Sequence, residues 1–159
     1  MNGSTENRTS GPSEKRSGHD VVLTWATAQR MLPLVRRIVE DIVGHLRDLA
    51  RMRPEKDRLD RNKRTLAWPE RARRYQLQEE IAAAERGLDS ALAELDALGV
   101  SLIDADAGQV GFPTMVNSRR AFFSWRPGED GLKSWHFEGE DERRPIPSHW
   151  ARPVEARKA

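Results

Sequence analysis

The sequence predicts an α+β fold, a long antiparallel helical hairpin with a coiled-coil-like pattern packed on a small antiparallel β-meander. Three observations predict it. Apolar residues recur at heptad spacing over two segments, residues 28–52 and 77–98. After Gly99 the pattern changes to short alternating runs broken by Gly, Pro and Asn-Ser turns. The 159 residues contain no cysteine and are about the length of one domain.

Residues 2–19 hold no apolar side chain, so a disordered head is expected over 1–20. The head also lacks the apolar core of a signal peptide, and a cytoplasmic location is expected. The single domain is placed at 21–146, with a flexible tail at 147–159. Thr24 suits an N-cap, because its hydroxyl oxygen can accept from free N–H groups of the first turn. The first helix, about 25–52, carries Ala28, Met31, Val35, Ile38, Ile42, Leu49 and Met52 on one seam, with His45 at the skipped position. His45 reads as a seam residue that sets pairing rather than as a ligand. A basic connection is expected at 53–69, bracketed by Pro54 and Pro69. The second helix, about 70–98, carries Leu77, Ile81, Ala84, Leu88, Ala91, Leu95 and Leu98, and Gly99 is a left-handed stop. Strands are expected within 100–138, near 100–103, 110–112, 121–125 and 134–137. Their turns fall at Gly108, Pro113, Asn117-Ser118 and Pro127-Gly128.

Composition removes whole classes of chemistry. Without cysteine there is no disulfide scaffold, thiolate metal site or thiol nucleophile. No apolar run approaches the ~20 residues of a membrane span. No phosphate-binding glycine loop and no H-E-x-x-H occurs, so neither cofactor nor metal is expected. Formal net charge is only +2, yet 33% of residues are charged, and the signs separate along the chain. Residues 51–74 carry net +6, whereas residues 79–106 hold eight acids against Arg86 alone. The hairpin is thus basic at its tip and acidic toward the sheet. A lone hairpin buries one stripe, and small folds are short of core. A homodimer through the helices is expected on that ground.

Several phrases resemble an uncharacterised prokaryotic family, domain-of-unknown-function 2203. They are Leu23-Thr24 through Ala28 to Met31-Leu32-Pro33, then Gly99-Val100-Ser101-Leu102-Ile103-Asp104, then Gly111-Phe112-Pro113. The most specific are Trp125-Arg126-Pro127-Gly128-Glu129 and Trp135-His136, with Arg143-Arg144-Pro145 closing the match. The resemblance spans about 22–146 and implies a shared fold and a common site, but no reaction. Two departures stand out: Gly111 replaces an acid usual in the family, and Glu140-Asp141-Glu142 replaces a glycine-rich approach to the closing phrase.

Strand alternation sorts the candidate residues. Phe123, Trp125, Trp135 and Phe137 should face the helices, while Arg126, His136 and Glu138 should converge on the opposite face. Trp125, Arg126, Glu129, Trp135, His136 and Glu138 therefore form the candidate ligand- or partner-binding set. Arg could fork onto a carboxylate or phosphate there. The bland reading of the same residues is an edge ion-pair network that holds a turn. The leading function is a non-enzymatic interaction or small-ligand-binding module, with an unknown protein or an anionic small ligand as partner. The alternative is a nucleic-acid-associated protein using Arg58, Arg61, Lys63, Arg64, Trp68, Arg71, Arg73 and Arg74, with Tyr75 interleaved. Its bland counterpart is a solvated helix end. A third reading, a small hydrolase or transferase with His136 as base, has Ser124 on the same face but no G-x-S-x-G elbow.

Overall fold

The computed structural model describes residues 21–151. Thr24 caps helix α1 (Trp25–Arg61), its side-chain oxygen accepting from the Thr27 N–H. Helix α2 (Trp68–Ala97) starts with Pro69 in its first turn, where a missing N–H costs nothing. Gly99 closes it at φ +75°, a conformation that spares a Cβ penalty only in glycine. At 1.5 Å per residue the helices span about 55 and 45 Å. The expected disordered head, residues 1–20, lies outside the described residues.

Helix α1 continues about nine residues past the expected boundary of 52, straight through Pro54. The basic connection of 53–69 shrinks accordingly to residues 62–67. A proline inside a helix costs roughly 3 kcal/mol. Extension wins because the seam also continues, placing Leu59 seven residues beyond Met52 and burying it with Leu66. Each such side chain contributes about 1.5–3 kcal/mol. Ion pairs from Glu55 to Arg73 and from Asp60 to Arg74 tie the same stretch of α1 to α2.

The sheet is a meander in chain order: β1 (Ser101–Asp104), β2 (Gln109–Val116), β3 (Arg119–Trp125), β4 (Ser134–Phe137) and β5 (Arg144–Pro145). Asn117 and Ser118 form the β2–β3 turn with φ of 50° and 62°, the two-residue geometry that follows strand twist. Pro113, expected to break the chain, sits inside β2 opposite Phe122. Its carbonyl accepts from Leu23 N–H at 2.8 Å on the side away from β3. A strand residue's N–H and C=O point the same way, so the donor that proline lacks was never needed by β3.

Two apolar clusters stabilise the fold. The larger joins α1 residues such as Val35, Val39 and Ile42 and the α2 residue Leu95 to Phe112, Phe123, Trp125, Trp135 and Phe137 of the sheet. The aromatic face therefore packs on the helices, as alternation requires. The second cluster lies toward the hairpin tip and contains Leu49, Met52, Leu59, Leu66, Leu77, Ile81 and Ala84. Residues 148–151, expected to belong to a flexible tail from 147, form a 3-10 turn, and the rest of that tail lies outside the described residues. Trp150 in that turn packs on Trp135 and Phe123, with ring centroids at 5.3 and 6.4 Å.

Candidate recognition site

The connection between β3 and β4 is pinned at both ends. At its start the Trp125 indole N–H donates to the Glu129 carbonyl at 3.0 Å, and the Arg126 N–H donates to the Glu129 carboxylate at 2.6 Å. At its end Leu132 is clasped by α1: the Trp25 indole N–H donates to its carbonyl and the Gln29 side-chain oxygen accepts from its N–H. Gly128 and Gly131, with φ of +92° and +89°, let the backbone turn between these anchors.

A ring of polar contacts closes on Glu129. Arg143 lies just before β5, yet its guanidinium bonds both the Glu129 carboxylate and the Ser124 hydroxyl on β3. Ser124 also accepts from the Gln109 amide at 2.9 Å, and the Gln109 oxygen accepts from Arg126 Nε at 3.0 Å. Gln109 and Ser124 are buried, so their satisfied state matters; an unmet polar group there would cost about 1–3 kcal/mol.

The six expected site residues do not form one surface. Trp125 and Trp135 are core side chains, 1% and 8% exposed. Arg36 lies 5.7 Å over the Trp125 ring and Arg144 lies 5.3 Å over the Trp135 ring. Arg126 is exposed and Glu129 half-buried. Glu138 is exposed, but its N–H bonds the Arg120 carbonyl, six residues back along β3 from Arg126. At about 3.3 Å per residue that separation is roughly 20 Å. The expected convergence of Arg126, His136 and Glu138 therefore fails on register: in an antiparallel pair the end of one strand faces the start of the next.

His136 lies opposite Phe122 and is 3% exposed. Its Nδ1 is 2.9 Å from the Phe137 carbonyl, which can only accept, so Nδ1 carries a proton. Nε2 is buried with no hydrogen-bond partner among the described residues. Ser124 Oγ is engaged by two donors rather than by this imidazole. A proton-transfer role for His136 therefore has neither an accessible base nor a paired nucleophile in this arrangement. Phe122 closes the neighbouring space, because a Cβ on Gly111 would lie 2.8 Å from its ring.

Arg143 and Gln109 are the residues sequence reasoning missed as parts of the site. The closing Arg-Arg-Pro phrase pointed to Arg143, but its reach back over β4 depends on a β4–β5 pairing too short to show a pattern. An open cavity of about 310 Å³ lies beside the pinned loop, lined by Arg36, Glu40, Trp125 and residues 127–130.

At the hairpin tip the cations divide. Arg73 forks onto Glu55 at 2.8 and 3.0 Å, and Arg74 bonds Asp60 at 2.6 Å. Arg71 and Arg61 donate to the carbonyls of Leu66 and Asp57. Arg58, Lys63 and Arg64 are exposed, as are Trp68 and Tyr75. The Arg73 pair holds the Glu55 carboxyl below its usual range, and hydrogen bonds from Lys56 and then Arg74 do the same for Asp60. His45 is half-buried against α2, where a Cβ on Gly87 would meet its ring at 2.5 Å.

Among the described residues no helix is long and apolar enough to cross a membrane, and no cluster of His, Asp and Glu is arranged to hold a metal ion. No curated protein and no solved structure matches the chain. Residues 22–146 match the sequence model of a family described as an uncharacterized conserved protein, DUF2203, and the chain belongs to that family.

Proposed function

We propose that the chain is a non-enzymatic binding module whose recognition surface is the pinned loop of residues 126–130 with the facing turn of α1 around Arg36 and Glu40. One observation carries this reading. The loop is fixed by Trp125, Glu129 and Arg143 while the Arg126 guanidinium stays exposed, with only its Nε committed to Gln109. A fixed loop gives up little entropy on binding, so its contacts count nearly in full toward affinity. The terminal guanidinium nitrogens suit a carboxylate or phosphate on a small molecule, or an acidic side chain of a protein partner. The cavity beside the loop, lined by Arg36 and Glu40 but not by Arg126, would hold a separate part of such a ligand.

The test is affinity capture from nuclease-treated extract with the full chain and with Arg126→Ala, each confirmed as folded by circular dichroism. Arg126 is exposed, so the variant should fold normally. A partner or ligand kept by the native chain and lost by the variant supports the loop. Equal retention by both would remove Arg126 from the site and the proposal with it.

A further inference from the structure

Helix α2 carries a second heptad stripe on the face opposite its buried seam. Trp68, Tyr75 and Ala82 are spaced by seven, with Ala72, Glu79 and Arg86 each four residues after one of them. At 100° per residue these positions lie on the side away from Leu77, Ile81 and Leu88, which pack inward. The stripe is exposed, Trp68 at 75% and Tyr75 at 62%, with the Arg74 guanidinium 6.0 Å from the Tyr75 ring. Glu79 and Arg86 are exposed too, and neither enters a hydrogen bond or ion pair with another described residue.

We propose that this face is covered by the same face of a second copy of the chain, with the two α2 helices antiparallel. The positions read as their own complement under a twofold axis beside Ala82 and Ala83. In that register Glu79 of each copy faces Arg86 of the other, so two unpaired charges become two symmetric ion pairs. The same register sets Tyr75 against Ser90, Ala72 against Ala93 and Trp68 against Ala97. Each aromatic ring thus meets a small side chain, and alanines at the centre let the helices approach to about 8 Å. Ser90, Ala93 and Ala97 are exposed although the sheet packs on this end of α2, so nothing described blocks the approach. A twofold interface needs self-complementarity of this kind. The rival occupant of Trp68 and Tyr75 is a single nucleic-acid strand stacking on the rings. Stacking gives no reason for the Glu79–Arg86 symmetry or for the small residues on the far half of the stripe.

Sedimentation equilibrium on the full chain, with the Glu79→Arg, Arg86→Glu and doubly reversed variants, tests the proposal. These sites are exposed, and circular dichroism would confirm folding. The native chain should be a dimer at micromolar concentration. Each single reversal should weaken dimerisation about tenfold, as expected for two exposed attractions turned repulsive. The double reversal should restore it. A native monomer at high micromolar concentration overturns the proposal, as does a dimer indifferent to the single reversals. So does a monomer that binds a fluorescent single-stranded oligonucleotide and loses that binding, in a salt-dependent way, on Trp68→Ala.

Discussion

Arg143 reaches across β4 to bond Glu129, joining the segment that enters β5 to the loop that leaves β3. Their side chains are 18% and 28% exposed, so this pair lies between the weak surface case and the costly buried one. Arg143→Ala also takes a donor from the buried Ser124 hydroxyl, and Glu129→Ala takes the acceptor shared by Arg143 and the Arg126 N–H. Each substitution is expected to lower stability by about 1–2 kcal/mol in urea unfolding, with a coupling near 1 kcal/mol in the double-mutant cycle. A coupling near zero would mean that the loop is held by its backbone contacts alone.

Gly87 and His45 should show coupling of a different kind. Alanine in a helix interior is favoured over glycine by about 1 kcal/mol. In the native chain that gain is offset, because the new Cβ must push the His45 ring out of its seat. Gly87→Ala is therefore expected to stabilise a His45→Ala background by about 1 kcal/mol and the native background by clearly less. Equal effects in thermal melts would show that His45 does not occupy that notch.

Gly111→Ala is expected to destabilise by about 1–3 kcal/mol, since its Cβ would lie 2.8 Å from the buried Phe122 ring within a paired strand. Phe122→Ala removes the obstacle at its own cavity cost, so the added loss from Gly111→Ala should largely vanish in that background. Chemical denaturation of the four proteins measures this directly.

Acid should weaken the hairpin tip. Glu55 and Asp60 are held below their ordinary values of 4.5 and 3.8, Glu55 by Arg73 and Asp60 by Lys56 and then Arg74. A carboxyl lowered on folding stabilises the native state above its unfolded value, and that stability is lost as pH falls through the folded one. Melting temperature should thus hold steady above about pH 5 and drop below it. Asp60→Asn should lower the melting temperature at neutral pH while shrinking the acid drop. An unchanged acid limb in Asp60→Asn would show that the Asp60 pairs do not contribute.

Periodicity made the helices, the four longer strands and the aromatic inner face legible, because each is a local pattern repeated several times. The end of α1 was not, since Pro54 is a strong local signal overruled by burial of Leu59 and by ion pairs to residues of α2. Pro113 misled for a related reason: its cost depends on which neighbour the N–H would have faced, and only Leu23 reveals that. The candidate site was legible in part. Alternation placed His136 on the outer face but not its burial, and register separated Glu138 from Arg126. Arg143 and Gln109 joined the polar ring through tertiary contacts that no spacing announces.

The strands pair in chain order, and the helices are joined by a short turn, so most contacts form between neighbours in sequence. The bonds from Trp25 and Gln29 to Leu132 are different, spanning 107 and 103 residues. Local zippering of the hairpin and the meander has to be joined by a long-range closure that brings the start of α1 to β2, where Leu23 bonds Pro113, as well as to Leu132. The entropy of that closure grows only with the logarithm of the intervening length. The tip could therefore lengthen or shorten with little change in the entropy lost when the two ends meet.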